Sequence, residues 1–156
     1  MTRRGIGFTL HFFDSTSVHY KISFPADYKN IPPLRDLVFH AATLQGFDHQ
    51  RAEHLRSVVD ELCNNAIEYG SQPTSEVTLE VHADDKKIKI TCQDQGHGNK
   101  LKADDIKKLL EQEISKTGAR GRGIPMIVKG FMNEFSIEDR PGGGISAIAV
   151  MHKDAY

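Results

Sequence analysis

The chain has 156 residues, 38% of them hydrophobic, which fits one compact domain with a substantial core and leaves little room for a second. Its 20 Lys and Arg residues nearly balance 21 Asp and Glu residues, for a formal net charge of −1. This balance provides no long-range positive field, so we expect neither nucleic acid nor an anionic membrane surface as a partner.

The sequence carries no recognisable targeting or membrane-spanning segment. No apolar run approaches the roughly 20 residues of a membrane helix. The first 13 residues contain two arginines and only a short apolar stretch, which does not resemble a secretory signal. Cys63 and Cys92 lie in apolar stretches without CxxC spacing, and we interpret them as buried free thiols. A cytoplasmic location is therefore predicted.

Two strands and two helices are predicted in the first half of the chain. Residues 7–13 and 18–24 have the β-branched, aromatic and alternating character of an N-terminal hairpin. Pro32 and Pro33 fit the first turn of a helix that ends at Gly46, and Asp48 is placed to cap the next helix. That second helix, over residues 50–69, has the clearest apolar stripe in the chain: Leu55, Val58, Val59, Leu62, Ala66 and Tyr69.

The second half predicts four strands and two further helices. Residues 77–82 and 87–92 alternate with period two as a hairpin, and a loop follows over residues 94–99. Helices are predicted at 103–114 and 124–132, and strands at 134–138 and 144–151. The single domain, residues 1–156 with an extra hairpin at about 5–24, is predicted to be α+β: a two-layer sandwich with helices on one face of a mixed, mostly antiparallel sheet.

Three polar or glycine-rich segments stand out from this framework. Glu61 and Asn65 lie four residues apart on the second helix, a spacing that by itself is more typical of a solvated helix edge. Residues 94–98 read Asp-Gln-Gly-His-Gly directly after a strand, and residues 118–123 read Gly-Ala-Arg-Gly-Arg-Gly directly before a helix. Glycines allow a close backbone approach, and a helix N-terminus attracts phosphate. Together the segments indicate a nucleotide.

Other phosphate and hydrolase motifs are absent from the sequence. It contains no GxxxxGK[ST] loop, and no GxGxxG follows the first strand. It also contains neither an HExxH pair nor a GxSxG elbow.

The same three segments resemble the motifs of the GHKL ATPase superfamily, which includes gyrase-type topoisomerases, histidine kinases and mismatch-repair ATPases. Residues 61–66, Glu-Leu-Cys-Asn-Asn-Ala, resemble its N-box, and residues 94–98 and 121–126 resemble its two glycine boxes. The order and intervals also match. The resemblance implies the Bergerat ATP-binding fold. The short chain and the helix pair before the N-box are similar to the anti-sigma-factor serine/threonine protein kinases of the RsbW and SpoIIAB type.

The resemblance implies roles for the first two segments. Asn65 would ligate Mg²⁺, and Asp94 would accept a hydrogen bond from the adenine amino group of ATP. Gly96 and Gly98 would let the loop pass against the base and sugar. Glu61 would be the general base that accepts the proton of the attacking hydroxyl.

The third segment would contact the phosphates. Gly121 and Gly123 would bring backbone amides to them, and Arg120 is the candidate for γ-phosphate stabilisation. Arg122 and Lys116 are alternatives to Arg120. Residues 99–120 would form a mobile lid over ATP.

The function implied is an ATP-dependent protein kinase that acts as an anti-sigma factor. It would phosphorylate an anti-anti-sigma (STAS-domain) partner, sequester a sigma factor and form a homodimer if it follows its relatives. Tyr69 and Glu68 depart from the residues common in relatives at these positions, so two alternatives stay open. One is a non-catalytic ATP-binding switch that sequesters a partner, and the other is a detached histidine-kinase-type catalytic domain.

Overall fold

A computed structural model of the chain describes residues 5–14, 16–70, 75–96, 102–115 and 130–154. Within these ranges lie six strands and three α-helices. In chain order they are β1 (Gly7–Asp14), β2 (Ser17–Pro25), α1 (Ile31–Leu44), α2 (His49–Gly70), β3 (Glu76–Ala83), β4 (Lys87–Gln93), α3 (Ala103–Ser115), β5 (Glu134–Asp139) and β6 (Ile145–His152).

The six strands form one sheet in the order β1-β2-β3-β4-β6-β5, and every described pair is antiparallel. Helices α1 and α2 pack against each other, and α2 packs on β3, β4 and β6. The predicted α+β sandwich is confirmed. None of the helices in the described ranges is long and apolar enough to cross a membrane.

The helix boundaries follow the predicted signals. Prolines occupy the first turn of α1, where a missing backbone N–H costs no helical hydrogen bond. The chain leaves α1 through Gly46, whose φ of 80° lies in the left-handed region that glycine tolerates. Asp48 Oδ1 accepts a 2.9 Å hydrogen bond from the Arg51 backbone N–H, which caps the start of α2.

The main core lies between α2 and the sheet. The apolar stripe predicted on α2 is buried from Leu55 to Ala66, and the side chain of Tyr69 lies outside the described part of the chain. Every second side chain of β3 and β4 faces this core, as the alternation of apolar residues in their sequences predicts. These side chains are all at most 2% exposed: Val77, Leu79, Val81, Ile88, Ile90 and Cys92. Full burial of each large side chain stabilises the fold by about 1.5–3 kcal/mol.

A smaller apolar cluster attaches α3 to the end of the sheet. Ala103 packs with Ile137 and Ile145. The backbone N–H of Ala103 donates a 2.8 Å hydrogen bond to Asp139 Oδ1. The predicted helix over 103–114 is therefore present, whereas the helix predicted over 124–132 lies outside the described residues except at 130–132.

Candidate functional site

Asp94 is the first residue after β4, and the period of that strand decides where its side chain points. Ile88, Ile90 and Cys92 all face the helices, so Asp94 continues the same row. Its backbone N–H extends the ladder with β6 by donating a 3.1 Å hydrogen bond to the Ile145 carbonyl. Asp94 is 6% exposed, and among the described residues it is the only acidic one that is buried.

Within the described part of the chain, the Asp94 carboxylate accepts hydrogen bonds through one of its two oxygens. Oδ1 accepts hydrogen bonds from the backbone N–H groups of Gly96 at 2.9 Å and Ile145 at 3.2 Å. Oδ2 accepts none from the described residues. Burial raises the pKa of Asp94, while the two amides and the nearby Arg140 guanidinium oppose that rise. A buried carboxylate whose second oxygen accepts no hydrogen bond from the described residues is suited to accept one from an N–H group of a ligand.

Two glycines, Gly96 and Gly144, allow the close packing of backbone around the turn after β4. Gly96 has a φ of 65°, and a Cβ on it would lie 2.5 Å from the backbone nitrogen of Gly144. Gly144 has a φ of 86°, and a Cβ there would collide with the Asp94 carbonyl group. The backbone of the β5–β6 hairpin therefore presses directly on the turn after β4, which only glycine permits at both positions.

Sequence reasoning missed the contribution of that hairpin. The sequence predicts strands at 134–138 and 144–151, with residues 139–143 only as the connection between them. In the structure, the Arg140 guanidinium crosses from the hairpin and donates a hydrogen bond to the Asp94 carbonyl. The run of three glycines at 142–144 was the available signal. All three have positive φ, whereas the common two-residue hairpin turn has only two central positions.

Helix α2 brings Glu61 and Asn65 to the same side of the sheet as Asp94. Cys63, between them on the helix, lies in the same buried core cluster as Cys92, two residues before Asp94 on β4. The neighbouring Cys63 thiol and burial raise the pKa of Cys92 well above its ordinary value, so the Cys92 thiol is neutral. Both cysteines are buried and free, as predicted. The helix and the Asp94 turn are thus fixed to each other through the core.

Glu61 is half-buried, and its environment favours the protonated form. Burial raises the pKa of Glu61, and the negative charge of the adjacent Asp60 raises it further. Asp60 is itself paired with Arg35 of α1, with 3.3 Å between Oδ1 and Nη1. A carboxylate with a raised pKa is a stronger base once it is ionised, which is the property that general-base chemistry requires.

The remaining predicted site residues lie outside the described ranges. These are Gly98, Lys116, Arg120, Gly121, Arg122 and Gly123. The part of the predicted lid that the structure describes, residues 102–115, contains α3. No group of three or more His, Cys, Asp or Glu side chains in the described residues could hold a metal ion by itself. A magnesium ion bound by Asn65 would thus need oxygen ligands from a bound nucleotide and water.

Comparisons with known proteins agree with this geometry. The profile of the histidine kinase-like ATPase domain family matches residues 24–148, which include α1, α2, β3 and β4 with both Glu61 and Asp94. The chain is also 31% identical to the serine/threonine-protein kinase RsbT of Bacillus subtilis (strain 168) over 123 residues. The aligned region covers 78% of this chain and 87% of RsbT.

Proposed function

Because this chain belongs to the GHKL family of histidine kinase-like ATPase domains, in the branch of the anti-sigma-factor kinases, we propose that it is a protein serine/threonine kinase. It binds Mg-ATP and phosphorylates a hydroxyl group of a partner protein. The observation that carries this proposal is the half-satisfied, buried carboxylate of Asp94, held beside the helix that bears Glu61 and Asn65.

Asp94 reads the nucleotide base. Its Oδ1 is occupied by two backbone amides, so Oδ2 is the atom that accepts the adenine amino group. Gly96 allows the turn to approach the base closely. ATP supplies the phosphoryl group that is transferred. Gly98, Gly121 and Gly123 are proposed to line its sugar and phosphates.

Glu61 acts as the general base. Its half-buried carboxylate removes the proton of the acceptor hydroxyl as the hydroxyl oxygen attacks the terminal phosphorus atom of ATP. The bond between that phosphorus and the bridging oxygen breaks, and ADP leaves. Asn65 supplies a neutral oxygen ligand for Mg²⁺ from the next helical turn. Arg120 is proposed to stabilise the charge on the transferred group, and Lys116 and Arg122 are the alternatives for that role.

The proposed partner proteins are those that the anti-sigma-factor kinase branch of the family implies. We assign a partner-switching role in the cytoplasm: the kinase phosphorylates a STAS-domain protein and, as an anti-sigma factor, sequesters a sigma factor. RsbT carries the name of a serine/threonine-protein kinase, which supports the transfer reaction in this chain. A homodimer is the proposed assembly.

The test is phosphoryl transfer to a STAS-domain protein from the same organism. Incubation with ATP labelled at the terminal phosphate should label the partner on serine or threonine, and Glu61→Ala should abolish labelling without abolishing ATP binding. Partner regulation that survives Glu61→Ala in cells would favour the non-catalytic ATP-binding switch instead. An acid-labile phosphohistidine on the partner would identify a histidine-kinase-type domain.

A further inference from the structure

Arg140 connects the β5–β6 hairpin to the Asp94 turn. Its Nη1 donates a hydrogen bond to the Asp94 carbonyl oxygen, 46 residues earlier in the chain. The backbone of Arg140 is fixed as well, because its N–H donates to the Gly144 carbonyl at 2.9 Å and its carbonyl accepts from Gly143 at 3.1 Å. The guanidinium therefore extends from a rigid turn, and its hydrogen bond restrains the peptide group that follows β4.

Among the described residues, Arg140 is also the cation whose charge acts on the Asp94 carboxylate. Its positive charge favours the ionised form and opposes the effect of burial, together with the amides of Gly96 and Ile145. On the strand side, the Cys92 thiol also interacts with Asp94 and stays neutral. Without Arg140, the two amides would be the only groups among the described residues that oppose the effect of burial on the pKa of Asp94.

We propose that Arg140 is the positioning residue for recognition of the nucleotide base, and that it sets the preference of the site for adenine over guanine. It acts through Asp94: it holds the turn in the shape that presents Oδ2, and it does not itself contact the base. This inference rests on the proposed function, since it takes base recognition by Asp94 as its premise.

The chemistry of the two purines explains why such a residue matters. Adenine carries an amino group, which donates, where guanine carries a carbonyl oxygen, which accepts. An ionised carboxylate only accepts, so it attracts adenine and repels guanine. A protonated carboxyl group can donate to the guanine oxygen. By favouring the carboxylate and by fixing its direction, Arg140 therefore strengthens ATP binding and weakens GTP binding.

The experiment compares Arg140→Met, Arg140→Lys and a charge-matched control in the full chain. Lys29→Met is the control, because it also removes one positive charge, from a side chain that is 78% exposed and paired only with Asp27 among the described residues. Affinities for Mg-ATP and Mg-GTP are measured by isothermal titration calorimetry at pH 8 and at about pH 6, and folding is checked by circular dichroism.

Arg140→Met should weaken ATP binding about tenfold at pH 8, with GTP binding unchanged or tighter, so that the ATP-over-GTP ratio falls. The loss for ATP should be larger at the lower pH. Arg140→Lys keeps the charge and should recover part of the ATP affinity, which keeps the test decisive if the methionine variant does not fold. Lys29→Met should leave both affinities unchanged.

Three outcomes would overturn the inference. Equal weakening of ATP and GTP binding without pH dependence would mean that Arg140 only stabilises the fold. Wild-type selectivity in a folded Arg140→Met variant, or an Arg140→Lys variant that weakens ATP and GTP binding equally, would remove its role while leaving the proposed function intact. Absence of nucleotide binding by the wild-type chain would reject the proposed function itself, and this inference with it.

Discussion

Cys63 of α2 and Cys92 of β4 lie together in the main buried core, where the Cys63 thiol raises the pKa of Cys92. Cys63 lies midway between Glu61 and Asn65, and Cys92 lies two residues before Asp94. The core between α2 and β4 therefore ties the helix of the proposed general base, Glu61, to the strand that leads to Asp94, the proposed acceptor for adenine. The candidate site is built directly on the most buried part of the protein, so its geometry depends on core packing.

Asp94→Asn should weaken ATP binding by about 10- to 100-fold, because the amide group presents a donor or a weaker acceptor to the adenine amine. Calorimetric titration with Mg-ATP measures the loss. The side chain keeps its size and can still accept the two amide hydrogen bonds through its oxygen. The circular dichroism spectrum of the variant should therefore match that of the wild type.

The same substitution should leave the ligand-free protein as stable as the wild type or more stable at pH 7. Burial raises the folded-state pKa of Asp94 above its ordinary value of 3.8, so the folded state binds the proton more tightly than the unfolded state does. The free energy of unfolding is thus reduced as pH rises from 3.8 through the raised pKa, and stays reduced above it. Urea unfolding of both proteins at several pH values tests this, and a less stable Asp94→Asn protein at pH 7 would contradict it.

Asp60→Asn should move the acidic limb of the pH profile of the transfer rate to lower pH. The reason is that the Asp60 charge raises the pKa of Glu61, and the rate requires the Glu61 carboxylate. The effect is modest because Arg35 partly neutralises Asp60. Glu53→Gln removes a similar charge from α2 and should not shift the limb. A pH profile of partner labelling measures both variants.

Gly144→Ala should destabilise the fold far more than Gly142→Ala. Both residues have a φ of 86°, so both alanine variants incur the strain of the left-handed region, about 1 kcal/mol. Only Gly144 lies against the Asp94 carbonyl, whereas a Cβ on Gly142 would meet nothing within 4 Å. Gly144→Ala should therefore lower the free energy of unfolding by about 2–4 kcal/mol and weaken ATP binding. Equal unfolding midpoints in urea would show that the close approach is not important.

Leu55→Ala should lower the free energy of unfolding by about 2–5 kcal/mol, because Leu55 is fully buried between α2 and the sheet. Leu44→Ala, at the exposed end of α1, provides the control. Leu44 is 77% exposed, so its substitution should change the stability by about 0.5 kcal/mol or less. Thermal or urea unfolding without nucleotide distinguishes the two.

Most of the architecture could be predicted because local signals and tertiary contacts agree. The apolar period of 3.6 on α2 and the period of two on β3 and β4 both appear directly in the burial of the side chains. The ends of α1 and α2 follow from Gly46 and Asp48, whose effects are local to the backbone. Predicted boundaries differ from the observed ones by one or a few residues, since strand ends depend on pairing partners.

The support of Asp94 by the hairpin could not be predicted, because it depends on strand order. Sequence alone does not reveal that β6 inserts between β4 and β5, which places Arg140 and Gly144 against the turn after β4. In the sequence, the three glycines at 142–144 indicate a turn with positive-φ positions, but they do not indicate which segment that turn contacts. Their contribution follows from a contact between segments about 50 residues apart, and local propensity carries no information about such a contact.

The Asp94 carboxylate receives one of its two backbone hydrogen bonds from Ile145, the first residue of β6. The turn that carries Asp94 is thus completed only when β6 has joined the sheet beside β4. Under the proposed function, ATP stabilises molecules in which β6 is in place over those in which it is detached, by about 2.7 kcal/mol when the ATP concentration is 100 times the dissociation constant. Nucleotide binding would therefore oppose local unfolding of β6 from the sheet.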